Sequence, residues 1–169
     1  MNRSSSKIKS VVTVLLLSLS FILEAQTVLP AFIEGTWVGY PADSSFKSVI
    51  TYKLSLRGKY LYAENLLYGR DNQLFRTYEG MYFAEGENLK YHLRGSGAET
   101  HVGEAFLSND TLLHVAKIFP AGSTKSYRSA VVKTGENTFS YYANYSSEET
   151  PPNSLEFDNP INYIRQPKR

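Results

Sequence analysis

The residues of this sequence best suited to chemistry are three histidines, His92, His101 and His114, in a chain without cysteine. Histidine binds metal ions and transfers protons near neutral pH. If Asn109-Asp110 is the turn of a hairpin, His101 and His114 lie about four residues apart along the strands, or roughly 13 Å. Two side chains so far apart cannot share a zinc ion, because each nitrogen ligand lies about 2 Å from the metal. We therefore expect no metal site.

The hydroxyl side chains do not form a recognisable catalytic motif. No nucleophile-elbow sequence places a serine beside a histidine for acyl transfer, and the chain has no glycine-rich phosphate loop, EF-hand loop or paired cysteines. We expect no cofactor and assign no catalytic residue. Acid–base catalysis through His101, His114 or a buried Tyr or Glu stays open, and it requires two ionisable groups within hydrogen-bond reach in one cavity.

Arg128 lies in the segment Ser126-Tyr127-Arg128-Ser129-Ala130, which can present either of two faces. If Arg128 points inward beside Ala130, it is a buried charge that needs an anion or a polar network, and it then becomes an anchor for a ligand carboxylate. If Tyr127 and Ser129 face inward, Arg128 faces water. The alternation of this segment leaves both orientations open.

The elements that must position these side chains are strands. From Gly35 onward, runs rich in Tyr, Val, Ile, Leu and Thr alternate with turn residues at intervals of roughly eight to twelve positions, and no stretch has a helical period. This pattern predicts a single antiparallel up-and-down β-barrel of about 8–10 strands. The strands are predicted at residues 35–40, 46–56, 59–68, 73–83, 89–95, 100–107, 111–119, 124–133, 138–146 and 161–166. The longest connection, from Ser146 to Pro160, is predicted as a surface loop, with a lid over one mouth of the barrel as the alternative.

The first register comes from Arg57-Gly58, which we interpret as a two-residue hairpin turn. This turn places Leu56 opposite Lys59 and Leu54 opposite Leu61. One face of the hairpin is then apolar and the other amphipathic, so the apolar face is expected to point into the barrel.

The second register comes from Asn109-Asp110. It places Ala105 opposite His114 and His101 opposite Ile118. Because a slip of one residue would exchange the two faces, the assignment is testable, and we expect this small-residue face to point inward. The candidate lumen residues are Tyr52, Leu54, Leu56, Leu61, Tyr91, Leu93, His101, His114 and Arg128.

The N-terminus has the three-part pattern of a secretory signal peptide. Basic residues precede an apolar run of 13 residues from Val11 to Leu23, and Ala25 is a small residue for cleavage before Gln26. A membrane-spanning helix needs roughly 20 apolar residues, so this run is too short for an anchor. We predict residues 1–25 as the signal peptide and residues 26–169 as a lipocalin-like barrel domain, secreted or periplasmic, with no stable membrane insertion after cleavage.

The mature chain is predicted to be close to neutral. Removing residues 1–25 takes three of the 18 basic and one of the 16 acidic side chains, which leaves 15 of each. Binding to nucleic acid would need a clustered basic stripe. We therefore expect no nucleic-acid partner, and a small hydrophobic molecule is the partner that a barrel lumen favours.

The opening segment Gly35-Thr36-Trp37, the meander of hairpins and the closing segment 162–165 together resemble the calycin superfamily, in particular its lipocalin-like and fatty-acid-binding-like domains in secreted bacterial proteins. This resemblance implies that Trp37 closes one end of the barrel and that Arg165 packs over it as a cation–π latch. It also implies that an inward Arg128 would hold a ligand carboxylate. The chain departs from classical lipocalins because it has neither an obvious C-terminal helix nor a disulfide.

Three functions are consistent with these observations. The first is binding of a small, largely apolar ligand in the lumen, without catalysis. The second is an enzyme that uses acid–base residues of the same lumen. The third is an interaction or structural module that uses a tyrosine-rich outer face, for which Tyr60, Tyr62, Tyr68, Tyr141 and Tyr145 are the candidates. Whether the lumen is open or filled by side chains is left undecided by the sequence.

Overall fold

The computed structural model describes residues 29–86, 88–119, 125–146 and 160–167. A short 3₁₀ helix, Ala31–Ile33, precedes ten strands. Among the described residues, no helix is long and apolar enough to cross a bilayer. The predicted signal peptide, residues 1–25, lies outside the described residues. The strands are β1 Gly35–Tyr40, β2 Phe46–Leu54, β3 Tyr60–Gly69, β4 Leu74–Glu85, β5 Asn88–Gly95, β6 Thr100–Ser108, β7 Thr111–Phe119, β8 Lys125–Gly135, β9 Thr138–Ser146 and β10 Ile161–Arg165.

The sheet is a closed barrel in which every pair of neighbouring strands is antiparallel. Each strand pairs with the strands before and after it in the chain, and β1 pairs with β10 to complete the ring. Closure removes the free edges that an open sheet would expose. The predicted all-β up-and-down barrel is confirmed, and the structure sets the number of strands at ten.

The β6–β7 hairpin has the predicted register. Ala105 lies opposite His114 and His101 opposite Ile118, on either side of the turn at Asn109, whose φ is +51°. All four of these paired side chains are buried. The small-residue face of the hairpin therefore points into the barrel, and both of its histidines are interior residues.

The β2–β3 hairpin has the predicted ladder but a longer turn. Leu54 lies opposite Leu61, as expected. Beyond this pair, the Ser55 N–H donates to the Tyr60 carbonyl oxygen at 2.8 Å, and the Ser55 hydroxyl oxygen accepts the Tyr60 N–H at 3.1 Å. These bonds close a four-residue loop in which Leu56 is fully exposed. The assignment of Leu56 to the lumen was wrong, because Leu56 lies in the turn and not on a strand.

The hydrophobic core fills the end of the barrel at which β1 begins and β10 ends. There Trp37 packs edge-on against Phe139, with 4.7 Å between ring centroids, and the indole N–H donates to the Ile33 carbonyl oxygen at 2.7 Å. The fully buried apolar side chains at this end are Ile33, Trp37, Leu61, Leu112, Val131 and Phe139. Dense packing of this kind closes the barrel on the side of the 3₁₀ helix.

Arg165 crosses this closed end. It lies opposite Trp37 in the β1–β10 ladder, and its guanidinium lies 4.2 Å from the centre of the Trp37 ring. The same guanidinium donates to the carbonyl oxygens of Glu34 and Phe32. Gly35 has φ +124°, and a Cβ there would lie 2.7 Å from the guanidinium nitrogen Nη1. The glycine that precedes the tryptophan by two positions thus makes room for the arginine.

The opposite end of the barrel carries the longer connections. The chain leaves β7 and β9 at this end and returns to it at the start of β8 and β10. Residues 120–124 and 147–159 of these connections lie outside the described residues, and the predicted surface loop between Ser146 and Pro160 falls almost entirely there.

Candidate functional site

A cavity of about 180 Å³ lies inside the barrel, in the half opposite the end that the packing around Trp37 closes. Side chains at or near the strand ends form its entrance, among them Phe46, Leu67, Tyr78, Tyr145 and Ile161. Farther along the strands the wall is formed by Ser48, Asn65, Leu93, His101, Tyr127 and Tyr163. The deepest lining residues are Ile50, Tyr52, Ala63, Tyr82, His114 and Tyr141. Among the described residues that line this cavity, none is Asp, Glu, Lys or Arg.

His114 is the centre of a buried polar cluster. Its Nε2 lies 3.0 Å from the Tyr82 hydroxyl, its Nδ1 lies 2.9 Å from the Ser129 hydroxyl, and the Ser129 hydroxyl donates to the Tyr127 oxygen at 2.9 Å. Because Ser129 has one hydroxyl proton and gives it to Tyr127, it must accept the bond from His114. The proton of the neutral imidazole is then on Nδ1, and Nε2 accepts the Tyr82 hydroxyl proton. Each member of the cluster has a defined partner.

The cluster is uncharged at neutral pH. Burial lowers the pKa of His114 to about 3, and a hydrogen bond to the Ser129 backbone opposes this only in part. Burial also raises the pKa of Tyr52, Tyr82 and Tyr127 above the ordinary phenol value. The imidazole and the phenols of the cavity floor are therefore neutral hydrogen-bonding groups, since the charged form of each is penalised by desolvation.

A second polar chain fixes the wall formed by β10, β2 and β3. The Tyr163 hydroxyl donates to the Ser48 hydroxyl oxygen, and the Ser48 hydroxyl donates to the side-chain amide oxygen Oδ1 of Asn65, each at 2.8 Å. A Cβ at Gly39 would lie 2.7 Å from the Tyr163 ring, so the glycine leaves room for that ring to lie against β1. The polar side chains of this wall hydrogen-bond to one another, and this network holds the wall in place.

His101 is held by ring contacts, whereas His114 is held by hydrogen bonds. Its ring meets Tyr78 and Tyr127 edge-on, with centroids 5.6 and 5.5 Å away. Its Nδ1 is buried and, among the described residues, has no hydrogen-bond partner. Burial lowers the pKa of His101, and the Glu99 carboxylate opposes this. His101 is thus a neutral interior imidazole whose hydrogen-bonding capacity is not used within the described part of the protein.

The entrance carries a charged pair outside the cavity wall. A guanidinium nitrogen of Arg76 lies 3.5 Å from a carboxylate oxygen of Glu99, and Arg76 also donates to the Tyr78 hydroxyl at 3.2 Å. The hydrogen bond to the Tyr78 phenol raises the pKa of Arg76, and the Glu99 carboxylate raises it further. The two charges compensate each other, so the rim beside Tyr78 presents no net charge.

The structure brings part of the predicted lumen set together. Tyr52, Leu93, His101 and His114 line the cavity. Three others lie inside the barrel without lining the cavity and belong to the core or pack against it: Leu54, Leu61 and Tyr91. Leu56 is outside, as described above. The cavity is therefore built around the two histidines that the hairpin register turned inward.

Of the two orientations left open for Arg128, the structure shows the outward one, so its inclusion among the lumen residues was wrong. Tyr127 lines the cavity and Ser129 bonds to His114, so Arg128 between them points to the outer face. In the sheet it lies between Val115 and Asn144. The role of ligand-carboxylate anchor inside the lumen is therefore excluded for Arg128 by the alternation of side chains along β8.

Several cavity residues were missed. Tyr141 and Tyr145 were assigned to an outer aromatic face, but both line the cavity. Their orientation follows from the correct β6–β7 register, because Ala116 lies opposite Tyr127 and Tyr127 opposite Tyr145. Extending that register strand by strand around the ring would have turned these tyrosines inward. Also missed were Tyr78, Tyr82, Tyr163, Ser48 and Asn65.

The described residues contain no group of three His, Asp or Glu side chains that could hold a metal ion. No protein-family model matches the chain. No curated protein matches it either. Among solved structures, it is similar to the crystal structure of Rv2717c from M. tuberculosis, with a TM-score of 0.54 and 11% identity over 81% of this chain and 94% of that one. The likeness establishes the fold. It says nothing about a ligand.

Proposed function

We propose that this protein is an exported calycin-like barrel, secreted or periplasmic, that binds a small, largely apolar ligand in its lumen without transforming it. The observation that carries the proposal is the cavity of about 180 Å³ with an uncharged, mainly aromatic and aliphatic wall. Buried apolar walls with a few fixed polar groups are typical of small-molecule sites. The calycin assignment is supported by the Gly35-Thr36-Trp37 opening and by the Arg165 guanidinium over the indole.

The His114 cluster meets the geometric requirement for acid–base chemistry, but its members are poorly suited to it. Ser129 does not line the cavity, so its hydroxyl does not face a bound molecule. His114, with a pKa of about 3, is a weak base, and an effective general base has a pKa near the working pH. We interpret the cluster as a support that holds Tyr82 and Tyr127 in place, which favours binding over catalysis.

The outer-face alternative is weakened by the inward orientation of Tyr141 and Tyr145. On β3, Tyr60 and Tyr62 are exposed neighbours with 6.5 Å between their ring centroids. Tyr68 instead receives the Lys47 ammonium 4.6 Å above its ring. Of the five candidate tyrosines, these two are the pair exposed on the outer face, a small patch compared with the aromatic wall of the cavity, so the lumen is the stronger candidate for recognition.

Native mass spectrometry of the protein purified from its own source tests the proposal. We expect a small molecule to co-purify with the protein, and we expect the mass of the chain to equal that of residues 26–169. Ala63→Leu adds three carbons inside the cavity and should lower the bound fraction about tenfold, since the added side chain occupies the ligand's space.

Ala84→Leu is the matched control, because Ala84 is exposed near the end of β4 and away from the cavity. It should leave the bound fraction unchanged, and circular dichroism should show that both variants are folded. Equal occupancy of the two folded variants, or a wild-type protein that carries nothing and binds no small apolar compound, contradicts lumen binding.

A further inference from the structure

The size of the cavity limits its ligand. An apolar cavity of about 150 Å³ is large enough to hold benzene, and the cavity described here has about 180 Å³. The buried part of a ligand is therefore one ring with a small substituent. The edges and faces of Tyr52, Tyr82 and Tyr163 provide the contacts that such a ring makes.

The wall also limits the charge of the ligand. The described lining residues include no ionic side chain, and Arg76 and Glu99 at the rim compensate each other. A carboxylate or ammonium inside the cavity would lose its hydration without gaining an ionic partner. The buried part of the ligand is therefore neutral.

His101 has the hydrogen-bonding capacity that such a ligand can use. The Tyr82, Tyr163 and Tyr78 hydroxyls already have partners in the protein. Nδ1 of His101 is sealed in the wall without a partner among the described residues, so the ring edge that carries Nε2 is the part a ligand can reach. Among buried backbone groups an unpaired N–H is rarer than an unpaired acceptor, and we apply the same preference to the imidazole. The proton therefore belongs on Nε2, which makes His101 a donor towards the cavity.

We infer that, if the lumen binds a ligand as proposed above, the buried part of the ligand is a neutral single ring with a carbonyl or similar acceptor oxygen, and that His101 selects it by donating a hydrogen bond from Nε2. The edge-on contacts with Tyr78 and Tyr127 hold the imidazole plane. A held donor favours ligands that place an acceptor oxygen opposite it.

Isothermal titration calorimetry with three test compounds checks this inference. Acetophenone has a ring and a carbonyl, cumene has nearly the same shape without the acceptor, and benzoate is charged. We expect the folded His101→Phe variant to bind acetophenone roughly three- to tenfold more weakly, the effect of one lost hydrogen bond. Cumene should bind within about twofold of wild type, because the variant keeps an aromatic ring at this position. Benzoate should bind wild type more weakly than acetophenone at neutral pH.

Two further variants separate recognition from packing. His101→Gln keeps an N–H donor and should recover part of the acetophenone affinity. His92→Phe, the same substitution at an exposed position of β5, should change neither affinity. An equal effect of His101→Phe on acetophenone and cumene, or tighter binding of benzoate, overturns the inference while leaving lumen binding intact. If wild type binds neither neutral compound, the inference is contradicted, whereas the lumen site itself is decided by the co-purification experiment described above.

Discussion

At the scale of single residues, the molecule contains two interior histidines that differ in the hydrogen bonding of their ring nitrogens. His114 is 3% exposed and has a partner at each ring nitrogen, whereas His101 is 7% exposed and has none among the described residues. Buried polar groups in folded proteins are nearly always paired. The first histidine therefore fits a structural role, and the second is an exception for which a ligand offers an explanation.

The buried His114 should make the protein sensitive to acid. Its pKa is about 6.5 in an unfolded chain and about 3 in the fold. Above pH 6.5 the imidazole is neutral in both states and contributes no pH dependence. Below pH 6.5 the unfolded chain takes up a proton that the folded chain does not. The free energy of unfolding therefore falls, by up to about 1.4 kcal/mol for each pH unit, until about pH 3.

Comparison with His114→Gln isolates this effect from the other titrating groups. Glutamine can accept from Tyr82 and donate to Ser129 but does not titrate. Urea unfolding at pH 7 and pH 4.5 should show that wild type loses about 3 kcal/mol more than the variant between the two conditions. Parallel losses in both proteins would mean that His114 is protonated in the fold.

At the scale of the secondary-structure elements, Arg165 joins the end of β10 to residues 32–37, which lie more than 120 positions earlier in the chain. Its guanidinium bonds to carbonyl oxygens of Phe32 and Glu34 beside the 3₁₀ helix and lies over Trp37 on β1. Arg165→Met keeps most of the aliphatic stem but removes these contacts. We expect a loss of about 2 kcal/mol in the free energy of unfolding.

Arg57→Met is the matched control for the Arg165 variant, because Arg57 lies in the exposed β2–β3 turn. Exposed substitutions of this kind usually change stability by less than about 0.5 kcal/mol. Chemical denaturation of the two variants gives the comparison directly. Similar stabilities for both would show that the Arg165 contacts make no net contribution to the fold.

The elements themselves were predictable where local chemistry determines them. Alternation and the turn at Asn109 were enough to place His101 and His114 on the inner face. The length of the β2–β3 turn was not predictable, because Ser55 bonds across the turn to Tyr60 and lengthens the loop around Leu56. Arg128 was ambiguous because small or apolar side chains lie on both faces of β8, and only its pairing with β7 decides between them.

At the scale of the whole molecule, the barrel has a filled end and a hollow end. Ten strands were predicted from the sequence, but whether all ten close into one ring, and how large a cavity they enclose, could not be predicted. Closure depends on the pairing of β1 with β10, whose partners are more than 120 positions apart, and the volume depends on how side chains from ten strands meet. The resulting arrangement places the packing around Trp37 and the entrance of the cavity at opposite ends of the barrel.

This separation predicts that Trp37→Ala lowers stability but not binding. Trp37 is 2% exposed, packs against Phe139 and does not line the cavity. Removing a buried aromatic side chain should lower the free energy of unfolding by roughly 3 kcal/mol or more. At a temperature where the variant is still folded, acetophenone should bind within about twofold of wild type, because the groups at the hollow end are unchanged.

Ile161→Ala, at the entrance of the cavity, should show the reverse: a smaller loss of stability and a larger change in affinity. If Trp37→Ala instead abolished binding at unchanged unfolding free energy, Trp37 would belong to the ligand site and the two ends of the barrel would not be separate.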